Sequence, residues 1–103
     1  MSTNTKQILD AAWPFVATNE VVAYLFNMVQ FYESDLKTKI TFMRMRMDTL
    51  ENVVEGCDGF HYQLRSDIGS LGTDMDIIQA QIFEMTSALV IVLNTQCGLA
   101  LEW

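Results

Sequence analysis

A hydrophobic repeat with a period of seven residues runs through most of this chain and constrains its fold more than any other feature. From residue 36 onward, apolar side chains recur at every seventh position, and a second apolar set follows four residues after the first. Only His61 and Gln96 interrupt the second set with polar side chains. This spacing is that of the seam of a left-handed coiled coil, whose a and d positions face another helix. The repeat therefore predicts an all-α fold.

We expect this seam to be an oligomer interface, because a single long helix cannot bury its own apolar stripe. Isoleucine and leucine occur at both a and d, and apolar residues also flank the seam, which favours three or four strands over two. The predicted assembly is a parallel trimer, with His61 and Gln96 as polar layers that fix its register. The alternative for His61 is a hydrogen-bonded core histidine with no role beyond packing. The predicted interface residues are Leu36, Ile40, Met43, Met47, Leu50, Val54, Cys57, His61, Leu64, Ile68, Leu71, Met75, Ile78, Ile82, Met85, Leu89 and Val92.

Two glycine clusters, at residues 56–59 and 69–72, are the candidate places for a turn within the repeat. No glycine falls on an a or d position, and the heptad phase is the same before and after both clusters. A helix that returns after a turn has no reason to stay in phase. The favoured prediction is therefore one coiled-coil helix over about 36–99. A helical hairpin or bundle that turns near residues 56–72 is the alternative.

The residues before the repeat predict a helical head on this stalk. Thr18 or Asn19 followed by Glu20 is typical of a helix start. The run from Val21 to Tyr32 is apolar nearly all round, as in a helix buried on several faces.

The predicted divisions are an N-terminal segment with a short helix (1–17), the apolar head (18–35), the coiled-coil stalk (36–99) and a tail (100–103). The head has more aromatic residues than its own stalk can cover, so we expect it to dock to a larger complex. The predicted docking residues are Trp13, Phe15, Val22, Leu25, Phe26, Val29 and Phe31.

Charge is distributed unevenly along the 103 residues, which carry 13 acidic and six basic side chains. All of the basic residues precede position 67. Four of them occupy e and g positions beside the seam, where partner choice is set. An acidic partner helix would satisfy them better than an identical chain, so a hetero-oligomeric scaffold subunit is the alternative to self-association; solvated flanks are the third interpretation. These partner-selecting charges are Lys37, Lys39, Arg44 and Arg46.

Composition and motifs argue against several functional classes. The net charge is acidic, and the sequence has no large group of basic residues of the kind that binds the phosphates of nucleic acid. The single histidine leaves no catalytic triad, so no catalytic residue and no cofactor is predicted. Cys57 and His61, four residues apart, would permit a metal-binding helical bundle as a further alternative. Metal sites normally have more than one such pair of ligands, so no metal is assigned. The sequence predicts a non-enzymatic structural protein.

Targeting signals are not evident in the sequence. The N-terminus is polar and lacks the apolar core of a signal peptide. The two most apolar stretches, Val21 to Tyr32 and Ala88 to Leu101, are shorter than the roughly 20 residues that span a bilayer. We expect a protein of the cytoplasm, or of a particle assembled inside the cell, with no membrane contact.

Two short segments resemble known coiled-coil families, each over less than a third of the chain. Met43-Arg-Met-Arg-Met-Asp-Thr-Leu-Glu51, after an apolar helix that begins Glu20-Val-Val, resembles the small coiled-coil subunits of actin-regulatory assemblies such as the WAVE complex. Leu64-Arg-Ser-Asp-Ile-Gly-Ser-Leu-Gly-Thr-Asp-Met75 resembles the stalk repeats of trimeric viral fibres. The first implies a subunit of a cytoplasmic complex and the second a virion or fibre component. The apolar end at 89–103 departs from both.

Overall fold

Three helices account for nearly all of the chain that the structure, a computed structural model, describes, namely residues 2–52 and 58–103. They are α1 (Ser2–Ala12), α2 (Glu20–Asn52) and α3 (Asp58–Gln96), with a turn of 3-10 helix at Trp13–Phe15 after α1. No strand occurs in the described ranges. The predicted all-α class is confirmed.

The start of α2 follows from a side-chain cap. The Oδ1 atom of Asn19 accepts hydrogen bonds from the backbone N–H groups of Val21 at 3.0 Å and Val22 at 3.2 Å. These are two of the N–H groups that have no partner inside a helix. Glu20 lies in the first turn, where its negative charge favours the helix dipole. The helix start predicted at Asn19 and Glu20 is confirmed.

The two long helices run antiparallel and form a hairpin 62 Å long with a cross-section of 20 × 17 Å. At one end, which we call the open end, the Nδ2 of Asn19 donates to the Oε1 of Gln96 at 3.0 Å. Towards the other, closed end, the Nε of Arg46 lies 3.7 Å from the Oδ2 of Asp67. The contacts between α2 and α3 are by far the most numerous between elements.

The predicted continuous helix over 36–99 is wrong, because α2 ends at Asn52 and α3 begins at Asp58 in the opposite direction. The alternative, a helical hairpin, describes the chain. The heptad phase misled the prediction because each helix of an antiparallel pair has its own seven-residue seam. When the connection between the two helices has the right number of residues, both seams fall on the same seven-residue count. An uninterrupted heptad phase therefore does not exclude a turn.

Neither glycine of the second cluster makes a turn. Gly69 and Gly72 lie inside α3, where each weakens the helix by about 1 kcal/mol relative to alanine. Gly56 lies outside the described residues. The predicted boundary between head and stalk, at 35/36, falls in the middle of the uninterrupted α2.

The core is thickest at the open end, where α1 packs across α2 and α3. Ile8 and Ala12 of α1 are buried in one cluster with residues of both long helices. Val90 and Leu93 of α3 lie outside the a and d positions and are nevertheless buried in that cluster. Their burial follows from the cover that α1 provides on this side of the hairpin. The cluster consists of Ile8, Ala12, Val22, Leu25, Phe26, Leu89, Val90 and Leu93.

The chain after α3 folds back along that helix and is held by a pair of hydrogen bonds. Gly98 has a φ of 72°, a left-handed conformation that glycine adopts without strain. The backbone N–H of Leu99 then donates to the carbonyl of Leu93 at 3.2 Å. The amide of Asn94 clamps Leu101: its Nδ2 donates to the Leu101 carbonyl at 3.0 Å, and its Oδ1 accepts from the Leu101 N–H at 2.8 Å. Trp103 thereby reaches Phe83, with ring centroids 5.9 Å apart.

Replacement of Thr86 by valine should stabilise the hairpin. Thr86 is fully buried, and its Oγ1 has no hydrogen-bond partner among the described residues. Valine keeps the branched shape and removes the unsatisfied hydroxyl, so the free energy of unfolding in urea should rise by about 1 kcal/mol. Thr95→Val is the matched control, because its exposed hydroxyl donates to the Ile91 carbonyl at 2.7 Å and should bring no gain. Equal stability of the two variants would contradict the prediction.

Replacement of Asn94 by alanine should release the tail and leave the helices intact. The change removes both bonds to Leu101, each worth about 1 kcal/mol. In a Trp13→Phe background, the emission of Trp103 should shift to the red while the circular dichroism of the helices stays constant. Asn27→Ala, at an exposed position of α2, should leave the emission unchanged. An unshifted emission in Asn94→Ala would mean that other contacts hold the tail.

Candidate interaction surface

The predicted seam lies between the two long helices of one chain. Four of its residues, Leu64, Ile78, Ile82 and Leu89, are buried, and Met47 is exposed. Val54 and Cys57 lie outside the described residues. A parallel trimer through the same seam would require α2 and α3 to separate. The half-buried seam residues are Leu36, Ile40, Met43, Leu50, His61, Ile68, Leu71, Met75, Met85 and Val92.

The polar positions of the seam have different surroundings. His61 is half-buried. Gln96 is exposed at the end of α3 and accepts the hydrogen bond from Asn19 that joins the two helices at the open end. Gln96 thus helps to set the register between α2 and α3 within one chain.

The residues of the predicted docking head divide into two groups. Most of them stabilise the chain's own core: Val22, Leu25, Phe26 and Val29 are buried and Phe15 is half-buried. Trp13 and Phe31 are exposed and accessible to a partner. Trp13 lies at the surface of the core, with its ring centroid 5.7 Å from that of Phe26.

The predicted partner-selecting charges face a chain segment that is itself acidic. Arg46 lies beside Asp67 of α3, and its guanidinium is 5.7 Å from the centroid of the Phe42 ring. Lys39 lines a shallow pocket with Asp74 of α3. Lys37 and Arg44 are exposed. The acidic helix that these charges require is thus present in the same chain, although surface pairs of this kind contribute little to stability.

A second apolar stripe lies on α2, outside the seam. Its residues occupy c and f positions of the heptad, two positions from the nearest a position, so they point away from the seam. Asp35 and Thr38 interrupt the set between Phe31 and Phe42. Ile77 and Ile91 of α3 extend the stripe on the same side of the hairpin, since Ile77 shares a shallow pocket with Asp35 and Lys39 of α2. We call this surface the outer face. It consists of the exposed residues Val21, Tyr24, Phe31, Phe42, Met45, Ile77 and Ile91.

The outer face is uncovered because α1 and the tail pack elsewhere. Both lie against the side of α3 that carries Phe83 and Val90. Phe31 is 62% exposed, whereas Val22 and Val29, on the seam side of the same helix, are fully buried. This surface was not predicted from the sequence, because the seam is the more regular of the two apolar stripes of α2. The signal was available in the seven-residue spacings from Val21 to Met28 and from Tyr24 to Phe31.

The surface area of the chain reflects its elongated shape. The chain exposes 6958 Å², about 1,000 Å² more than the roughly 5,900 Å² expected of a globular monomer of 11.7 kDa. A hairpin of 62 × 20 × 17 Å has more surface for its mass than a globule, so this excess does not by itself indicate an interface.

Two further kinds of site bear on function, a metal site and a membrane-spanning helix. Within residues 2–52 and 58–103, no group of three histidine, cysteine or acidic side chains is arranged to hold a metal ion. Of the predicted pair, Cys57 lies outside the described residues. One helix of the described chain, α3 from Gly59 to Gln96, is long and apolar enough to cross a membrane by length and composition alone. The core helix of a soluble protein passes the same test.

Comparison with protein-family models, with curated proteins and with solved structures finds no match for this chain.

Proposed function

We propose that this protein is a non-enzymatic assembly subunit whose helical hairpin self-associates and docks to a larger complex. The observation that supports the proposal is the outer face, an apolar stripe at heptad spacing that no part of the described chain covers. The original trimer prediction used the seam for association. Because that seam is occupied by the chain's own helices, the outer face takes over its role, and two hairpins would form a four-helix bundle.

An antiparallel pair of hairpins fits the distribution of charge. The closed-end half, residues 36–79, carries five of the six basic residues and seven of the 13 acidic residues, whereas the open-end half has six acidic residues and one basic residue. An antiparallel pair thus places the more acidic half of each copy against the less acidic half of the other. With a twofold axis near Ile77, Asp35 would lie level with Lys39 of the second copy, and Glu84 with Arg46. A parallel pair would instead bring Lys39 against Lys39. Complementary charges set the orientation of such an interface more than its affinity.

A larger assembly could contact the exposed Trp13 at the open end, which an antiparallel pair would leave uncovered at both ends of the bundle.

A heteromeric scaffold remains the alternative. Two of the basic residues that suggested an acidic partner, Arg46 and Lys39, lie near Asp67 and Asp74 of the same chain, so that alternative now rests on the exposed Lys37 and Arg44.

Disruption of the outer face should convert the dimer to a monomer. Light scattering should give about twice 11.7 kDa for the wild-type chain. The double variant Phe31→Glu and Phe42→Glu places four unpaired carboxylates in the interface, so it should have the monomer mass with unchanged helix content. Tyr62→Glu is the matched control, since Tyr62 is 75% exposed but lies off the outer face. A wild-type monomer at about 100 μM, well above the Kd of a stable dimer, would overturn self-association.

The orientation of the pair is measurable with a label near the closed end. Thr49 is exposed on α2, and a spin label at Thr49→Cys, with Cys57 and Cys97 replaced by serine, reports the distance between copies. In the antiparallel pair the two labels should lie at least about 36 Å apart. A twofold axis near Ile77, which is level with Asp35 and Lys39, separates the two copies of Thr49 by about 24 residues of helix at 1.5 Å each. A distance of about 20 Å or less, two helix diameters, would indicate a parallel pair.

A further inference from the structure

A cleft opens on the side of the hairpin opposite the outer face, where the tail runs back along α3. Its volume is about 430 Å³, within the range of small-molecule sites. Its apolar wall comes from α2, α3 and the tail, and Trp103 lies at its rim. The lining residues are Thr5, Glu33, Leu36, Gln79, Ile82, Phe83 and Trp103.

Glu33 is the chemically distinctive residue of the cleft. It is half-buried, seven residues before Ile40, and so occupies an a position of the apolar seam. Its carboxylate makes no hydrogen bond and no ion pair with any described residue. A carboxylate held partly away from water without a cation is unfavourable, since burial of a charge costs free energy unless it is paired. The site therefore favours a ligand that brings a positive charge.

The aromatic rings beside this carboxylate favour the same kind of ligand. Phe83 and Trp103 are tilted by 37° with centroids 5.9 Å apart, and they form two adjoining walls. Ring faces attract ammonium groups, and tryptophan does so most strongly. Among the residues that the structure describes, no basic side chain lines the cleft. Leu36 and Ile82 offer an apolar surface to the remainder of the ligand.

We propose that this cleft binds a small organic cation, an ammonium group carried on an apolar chain. The ammonium group pairs with Glu33 and lies against Trp103, and the apolar chain packs on Leu36 and Ile82. The site is formed within one hairpin and faces away from the outer face, so it is independent of self-association. Because the tail forms one wall, the ligand also holds Trp103 in place.

Binding is testable with one cation and its neutral counterpart. In the Trp13→Phe chain, Trp103 is the remaining tryptophan, and its fluorescence reports occupancy. The probes are 4-phenylbutylamine and 4-phenylbutan-1-ol. We expect a saturable change with the amine at a Kd below about 1 mM and binding of the alcohol about tenfold weaker, because a charge-assisted hydrogen bond is lost.

Two charge-matched variants locate the cation. Glu33→Gln should weaken amine binding about tenfold and leave alcohol binding unchanged. Glu51→Gln removes the same charge from an exposed position of α2 outside the cleft and should leave both probes unchanged.

Equal affinity for amine and alcohol, equal losses in the two variants, or no saturable binding of the amine would each overturn the proposal. The comparison of amine with alcohol on the chain that has Glu33 remains decisive if Glu33→Gln does not fold. None of these results depends on the oligomeric state, which light scattering measures separately.

Discussion

The apolar seam between α2 and α3 is the interaction on which the rest of the structure depends. Helices of 33 and 39 residues are stable in isolation only when their apolar stripes are covered, since helix propensity alone contributes little. Pairing of the two stripes within one chain removes most of that surface from water. It also brings Val90 and Leu93 into position for α1, places Glu33 opposite α3, and turns the second stripe of α2 towards solvent.

The local features of the fold were predictable from sequence because their causes are local. Asn19 and Glu20 mark the helix start through hydrogen bonds to residues two and three positions away. The seam follows from spacing alone. Which helix covers the seam was not predictable, because an intramolecular and an intermolecular partner leave the same heptad pattern. The glycines at 69 and 72 were misleading for a related reason: a long, well-packed helix tolerates glycine at its outer positions.

The candidate sites depend on contacts between distant residues, which no short sequence window contains. Glu33 and Trp103 are separated by 70 positions, and they meet only because the hairpin closes and the tail returns along α3. The outer face differs in this respect. Its spacing was visible in the sequence, but its exposure became clear only once α1 was found on the other side. An acidic partner for Arg46 was likewise expected in another chain, but the residue beside it is Asp67 of the same chain.

The clamp on the tail has a consequence for the order in which the protein opens. Beyond Leu99, the tail is held by the two hydrogen bonds between Asn94 and Leu101 and by the contacts of Leu101 with the core cluster and of Trp103 with Phe83, whereas the hairpin is held by an extended apolar seam. Segments held by few contacts open locally, at much lower free energy than the whole fold. We therefore expect the tail to open as a separate cooperative unit, and the amide proton of Leu101 to exchange with solvent long before those of Leu89 or Leu93. Departure of the tail takes Trp103 away from Phe83 while both long helices stay paired, so access to the cleft does not require the protein to unfold.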